Sequence, residues 1–138
     1  YNKNVVNIAQ EVPIVSNIEA MAFSVKCGNM LDLTLMIVYR KPGSVLNFID
    51  ELAEQIRSMP RDNRLIIAGD FNLDQRDSNN VSLFSHIMDE FSLVQRSKFT
   101  THSQGGILDL VFDNSNLSPD CFIVPVPFSD HFIVIFEV

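Results

Sequence analysis

Three polar interruptions, far apart in the chain, carry residue types able to cooperate at one centre: Asp70 with Asn72, Asp109, and the adjacent pair Asp130 and His131. The first stands in Ile66-Ile67-Ala68-Gly69-Asp70-Phe71-Asn72. A strand that ends this way carries a carboxylate and an amide at alternate positions, so both face one side, and the glycine permits a turn or a close backbone approach. Taken alone, the stretch reads more simply as a strand ending in a polar turn. The second, Ile107-Leu108-Asp109-Leu110-Val111-Phe112, puts a carboxylate into a strand otherwise apolar on both faces. An unpaired buried charge is expensive, so Asp109 needs a partner. An imidazole is a natural one, because an Asp that fixes a His tautomer and stabilises the imidazolium is how a general base is oriented. The third, Ser129-Asp130-His131, precedes a final apolar run. Adjacent strand residues project to opposite sides, so a bend after Pro125 and Pro127 is required to aim both at one metal–phosphate centre. As an isolated tripeptide it is a polar strand entry.

Elements able to position these residues are legible in the periodicity. Ile18 to Lys26 reads as a strand, Gly28-Asn29 as a turn, and Met30 to Tyr39 as the second strand of a hairpin, with Leu31, Leu33, Leu35, Ile37 and Tyr39 on one face. After Pro42-Gly43, Ser44 is the expected N-cap of a helix whose stripe is Val45, Phe48, Ile49, Leu52, Ala53 and Ile56, ended by Pro60. Leu65 to Ala68 is a short apolar run of the kind a buried central strand shows. A loop rich in Asp, Ser and Asn leads to a second helix with Val81, Phe84, Ile87, Met88 and Phe91 inward. The loop from Thr100 to Gly106 opens into the strand at Ile107, and strands near Phe122 to Val126 and His131 to Val138 finish the chain. The result is an α/β layered domain with antiparallel or mixed pairing rather than a regular βαβ repeat.

A chain of 138 residues, 46% hydrophobic with eleven Phe and no Trp, is about one domain with an aliphatic, phenylalanine-rich core. Its longest apolar runs are too short to span a bilayer, and no basic-then-apolar leader opens it. Opening at Tyr1 without Met, it reads as a piece of something longer. Cys27 and Cys121 lack zinc-type partners at short spacing and are expected to be free thiols, which suits an intracellular protein. The net charge of −7 runs against the basic footprint of a nucleic-acid binder. A site that gathers carboxylates around a divalent cation accounts for part of that balance, since the ion returns positive charge where a phosphate sits.

The ordered motifs, Tyr39, Gly69-Asp70-Phe71-Asn72, Leu108-Asp109 and Ser129-Asp130-His131, resemble the endonuclease/exonuclease/phosphatase superfamily across nearly the whole chain. Val38-Tyr39-Arg40-Lys41-Pro42, Thr101-His102-Ser103-Gln104-Gly105-Gly106 and Ser129-Asp130-His131-Phe132 are similar to the endonuclease domains of non-LTR retrotransposons (the LINE type). The resemblance implies a layered α/β sandwich with helices outside. It also implies roles: His131 as general base on the attacking water, Asp109 holding its imidazole, Asp130 as metal ligand, and Asn72 steadying the phosphate. Asp70 would stand between water and leaving group, with Tyr39 near the leaving oxygen. One Mg²⁺, or Mn²⁺ in its place, would neutralise charge on the phosphoryl oxygens. His102 and Arg76 are expected beside the substrate; Arg96 and Lys98 flank the same loops.

The chain departs from the family in supplying no counterpart of the principal metal-binding Glu, which lies in the first part of such domains. Glu11 and Glu19 are not assigned to that role. Residues 1–138 are therefore expected to be the C-terminal portion of one domain, without its N-terminal strands, binding Mg²⁺ weakly on its own. Arg40-Lys41-Pro42-Gly43 also lacks the Asn that apurinic-type enzymes place three residues after this Tyr, which argues against abasic-site specificity. The expected parent is a DNA endonuclease linked to a reverse transcriptase, nuclear when acting on DNA, with no membrane partner. The alternatives are a phosphoinositide or lipid phosphatase built on the same centre, and a non-catalytic remnant serving as an interaction module.

Overall fold

The computed structural model describes residues 7–26, 31–44, 47–115 and 121–136. Their elements follow in the order β1 (Asn7–Val12), β2 (Glu19–Lys26), β3 (Leu33–Tyr39), α1 (Phe48–Arg57), β4 (Arg64–Asp70), α2 (Ser78–Phe91), β5 (Val94–Gln95), β6 (Asp109–Asp113), β7 (Cys121–Val124) and β8 (Ile133–Phe136). The first six strands form a mixed sheet in the order β1-β2-β3-β4-β6-β5, and β7 pairs with β8 in a small second sheet. β3 and β4 run parallel, with α1 between them in the chain, while the other pairings are antiparallel. The expected α/β class with mixed pairing is what the chain adopts.

Continuous apolar runs mark the strands that are covered on both sides. On one face Met36, Val38, Ile67, Leu110 and Phe112 pack against Phe48, Leu52 and Ile56 of α1 and Phe84 and Ile87 of α2. On the other, Leu33, Ile66 and Val111 meet Cys121, Val134 and Phe136 of the small sheet. Each fully buried Leu, Ile or Phe contributes about 1.5–3 kcal/mol relative to exposure, so the two clusters together fix β4 at the centre. No helix among the described residues is long and apolar enough to cross a membrane.

The structure corrects several local expectations. In β3 the deeper face is Thr34, Met36 and Val38, all nearly inaccessible, whereas Ile37 and Tyr39 are 40% and 44% exposed and Leu31 lies out at 73%. Alternation of Leu and Ile misled because the more exposed face is itself apolar, carrying Leu35, Ile37 and Tyr39, while the polar Thr34 lies on the buried one. The α1 N-cap is Asn47, not Ser44, while Val81 of α2 faces solvent. β1 and the two-residue β5 were not foreseen, since neither alternates clearly in hydropathy. Gln55, on the buried face of α1, was also missed. Its Oε1 accepts from the Val15 and Ser16 amides and its Nε2 donates to the Pro13 carbonyl, tying the β1–β2 connection to the helix. Cys121 is a half-buried free thiol whose pKa is raised by burial. The Gly28-Asn29 turn, Val45 and Cys27 lie outside the described residues.

One polar group sits deep in the face that meets the small sheet. Asp113 is fully buried and accepts from Arg64 Nε and Nη2 at 3.1 and 3.2 Å and from the Ser115 hydroxyl at 2.7 Å, with Arg96 Nη2 at 3.6 Å. Burial opposes its charge, but these donors outweigh it, and its pKa lies below the ordinary 3.8. A depressed carboxylate contributes stability that is full above the unfolded value and lost as pH falls through the folded one. Asp113→Asn should therefore cost about 3–5 kcal/mol at pH 7, because Arg64 is left uncompensated. It should also flatten the acid limb of stability below pH 3.8, read by urea unfolding across pH.

Candidate active site

The Gly-Asp-Phe-Asn stretch divides its side chains between two environments. Phe71 is fully buried and makes edge-to-face contacts with Phe48, Phe84 and Phe112 at ring-centre distances of 6.1, 5.6 and 5.6 Å. That plug locks the end of β4, so Asp70 before it and Asn72 after it are held to the sheet edge. Asp70 Oδ1 accepts the Asn72 amide at 3.0 Å, and Asn72 adopts φ 48°, a left-handed conformation Asn tolerates. Asn72 Nδ2 donates to the Arg40 carbonyl at 2.7 Å. One of its two amide protons is thereby committed to the β3 end, leaving the other for a ligand.

Asp70 and Asp109 are register partners across β4 and β6, so two half-buried carboxylates stand side by side. The Asp109 amide and the Leu108 amide both donate to Thr101 Oγ1 at 3.0 Å. Thr101 is fully buried and sets the start of β6. His131 arrives from the segment before β8. Its Nδ1 lies 3.0 and 3.2 Å from the two Asp109 oxygens, and its Nε2 lies 3.8 Å from Asp70 Oδ2. Facing a carboxylate, Nδ1 carries the proton, which leaves the Nε2 lone pair toward Asp70 and solvent.

The electrostatics follow from this crowding. Burial disfavours the imidazolium, but the Asp109 hydrogen bond and the charges of Asp109, Asp70 and Asp130 outweigh it, so the His131 pKa is raised above 6.5. Burial, aided by the neighbouring Asp109 charge, raises the Asp70 pKa despite the Asn72 amide and His131. Asp130 is the exception: hydrogen bonding to its own backbone amide and the nearby His102 hold it below 3.8. His102 Nε2 is 3.3 Å from Asp130 Oδ2. The two histidine rings meet edge to face at 5.0 Å.

The remaining expected site residues divide. Tyr39 pairs with Asp70 across β3 and β4, so Glu19, Tyr39, Asp70 and Asp109 occupy one row across four strands. A cleft of about 240 Å³ opens beside Tyr39, against Arg40, Lys41 and the start of α1. Arg76 is drawn into a clamp on Asp74, with contacts of 2.6–3.1 Å that pull the Asp74 carboxyl down to about 2. Arg96 is likewise directed at Asp113 and the Ser115 carbonyl rather than outward. His86 is exposed on α2 beside Glu90. Glu11 and Glu19 are exposed, in no metal-type grouping among the described residues.

Thr101, Arg40 and Asp74 were not foreseen as site-building residues. Asp74 Oδ1 accepts the Ile107 amide, joining the loop after β4 to the loop before β6. The one available signal was a Thr pair beside His102, and nothing in its spacing marks which hydroxyl is buried. For a divalent ion, Asp70, Asp109 and His131 offer donor atoms within 4.8 Å of one another, as do His102, Asp130 and His131. Two carboxylates and an imidazole at this spacing suit a divalent cation that keeps part of its water. The donor set fits such an ion, although Asp109 is largely engaged by His131.

Residues 23–135 match the family described as endonuclease-reverse transcriptase. The fold superposes on the endonuclease domain of TRAS1, a telomere-specific non-LTR retrotransposon, with TM-score 0.76 at 16% identity, over 98% of this chain and 68% of that one. An endonuclease/exonuclease/phosphatase family protein from Leptotrichia buccalis gives 0.74 at 16%, over 96% of this chain and 61% of that one. A mannosyl-6-phosphatase from Bacteroides thetaiotaomicron gives 0.65 at 13%, over 99% and 68%. At these identities the likeness is one of fold, which does not choose a substrate. Among curated proteins none matches.

Proposed function

The chain belongs to the endonuclease-reverse transcriptase family, within the endonuclease/exonuclease/phosphatase superfamily of hydrolases, and from that premise we propose that it is the C-terminal portion of a metal-dependent phosphodiesterase that nicks DNA. The observation supporting this most directly is the convergence of Asp109, His131 and Asp70 from three separate stretches of chain, with His131 Nε2 left free to act as a base. In this reading, His131 Nε2 takes a proton from water as the water oxygen attacks phosphorus. Asp109 keeps the Nδ1 proton and stabilises the imidazolium. The bond from phosphorus to the 3′ oxygen breaks, and the products are a 3′ hydroxyl and a 5′ phosphate. Tyr39, in line beside Asp70, donates to the leaving oxygen, and Asn72 uses its remaining amide proton on a phosphate oxygen. Asp130 on one side of His131 and Asp70 on the other would each offer carboxylate oxygens to the cation, Mg²⁺ or Mn²⁺, which supplies charge neutralisation at the phosphoryl oxygens.

The parent protein would carry a linked reverse transcriptase, to which the new 3′ hydroxyl presents a primer, and would act in the nucleus. With Arg76 and Arg96 engaged internally and the Arg40 guanidinium held by the Asn72 and Ser44 carbonyls, Lys41 beside the Tyr39 cleft is the better placed cation for the DNA backbone. The test is conversion of supercoiled plasmid to open circles by the protein, alone and within its longer parent, with Mg²⁺ and with chelator. Nicking by the parent should require the cation and leave extendable 3′ ends. Faster release of phosphate from phosphoinositides or a phosphorylated sugar than from DNA would replace this reading with a phosphatase; no activity above chelator background in the parent would leave a non-catalytic remnant.

A further inference from the structure

His102 and Asp130 make a second histidine–carboxylate contact beside the first, and the surroundings of His102 define what it does. The backbone there is pinned: Thr101 and His102 amides donate to the Gly106 carbonyl at 2.9 and 3.2 Å, Ser103 donates to the Asp130 carbonyl at 2.8 Å, and Phe132 to Thr101 at 2.8 Å. His102 and His131 form a bridge between these two segments. The His102 side chain is 13% exposed, whereas that of Asp130 is 69% exposed. A surface carboxylate of that kind samples several rotamers unless something holds it.

The tautomer of His102 follows from its other nitrogen. The Gln104 amide donates to Nδ1 at 3.2 Å, so Nδ1 is the acceptor and the neutral ring carries its proton on Nε2, the atom facing Asp130. A metal at Nε2 would need the proton on Nδ1, directly against the Gln104 N–H. In the Nε2–H tautomer His102 Nε2 is a donor facing Asp130 rather than a ligand atom.

We propose that His102 is a positioning residue whose Nε2–H holds the Asp130 carboxylate at the mouth of the site and fixes where it meets the cation and phosphate. This rests on the nuclease reading above for what Asp130 does, though not for the tautomer. Two near-isosteric variants separate the role from simple loop support. His102→Asn retains an acceptor near Nδ1 for the Gln104 amide but has no donor at the Nε2 position; His102→Gln retains a donor there and loses the loop acceptor. With the parent protein, His102→Asn should lower the plasmid-nicking turnover about 10- to 100-fold, the usual cost of losing such a supporting bond, with KM for DNA little changed. His102→Gln should recover most of that loss. The reverse order, or no loss in either, overturns the proposal.

A second measurement does not depend on activity. Long-range ¹H–¹⁵N spectra of the metal-free protein should show His102 as the Nε2–H tautomer, with that proton exchanging faster in Asp130→Ala. An Nδ1–H tautomer, or exchange indifferent to Asp130→Ala, overturns the proposal even in an active enzyme. A parent protein inactive with both His102 and His131 intact would count against the nuclease reading instead, and the spectra would still decide the contact.

Discussion

His131→Ala in the parent protein should reduce Mg²⁺-dependent nicking by about a hundred- to ten-thousand-fold, the range a positioned general base contributes. The expectation comes from geometry: Nδ1 is tied to both oxygens of Asp109 and Nε2 is the one basic atom left facing Asp70. Asp109→Asn should fall comparably. Its amide can donate to Nδ1 and drive the imidazole proton to Nε2, which removes the lone pair the reaction needs. Because the two residues act as one device, the double variant should be no slower than the slower single variant, whereas independent contributions would multiply. His131→Gln, which fills the same space, guards against a folding artefact, and unchanged unfolding midpoints would place the loss in the chemistry. In metal-free protein the His131 ring should titrate above 6.5, and Asp109→Asn should bring it down. A raised histidine contributes stability that is full below 6.5 and lost as pH rises through the folded value. Charging the imidazole therefore stabilises the fold while removing the base. A His131→Ala parent that nicks at the rate of the unmodified protein would remove the catalytic assignment altogether.

The features that carry this chemistry were legible to different degrees. Asp109 announced itself because a lone carboxylate in an apolar strand requires a partner, and the partner distance of 3.0 Å is what that requirement leads one to expect. Gly-Asp-Phe-Asn was legible as a strand end, yet the role of Phe71 as the plug that holds both polar neighbours was not. An aromatic between two polar residues gives no sign in the sequence that three other rings surround it. Arg76 illustrates the opposite case. A basic residue near an active-site loop looked available for phosphate, but Asp74 two residues earlier satisfies it through an Asx-type turn. Thr101 and Gln55 were invisible for a shared reason: a buried polar side chain whose partners are backbone groups outside its own element leaves no periodic trace. The core pattern of β3 failed in a related way, since hydropathy letters cannot mark as outward a face that carries Leu35, Ile37 and Tyr39.

Gly69→Ala should be among the most damaging single-methyl additions available, costing about 3 kcal/mol or more in urea unfolding and abolishing nicking with it. Gly69 has φ 152°, a conformation L side chains rarely adopt, and it is the register partner of Val38 in the parallel β3–β4 pair. A Cβ there would fall directly on the Val38 carbonyl oxygen and within 3.0 Å of its carbonyl carbon and amide nitrogen. The obstacle is backbone, so no side chain can rotate away, and β3 must separate from β4 to admit the methyl group. Gly43 supplies the control. Its φ is 71° and nothing lies within 4 Å of its would-be Cβ, so Gly43→Ala should show only the conformational cost of a left-handed residue, about 1–2 kcal/mol. The difference between the two variants isolates the close approach. Tyr39 and Asp70 are the next residues along these two strands and are themselves register partners. Separation at Gly69 would therefore part them first, and nicking should fall even at temperatures where most Gly69→Ala molecules remain folded. Folded Gly69→Ala molecules that nick normally would mean that the spacing of β3 and β4 does not set the site.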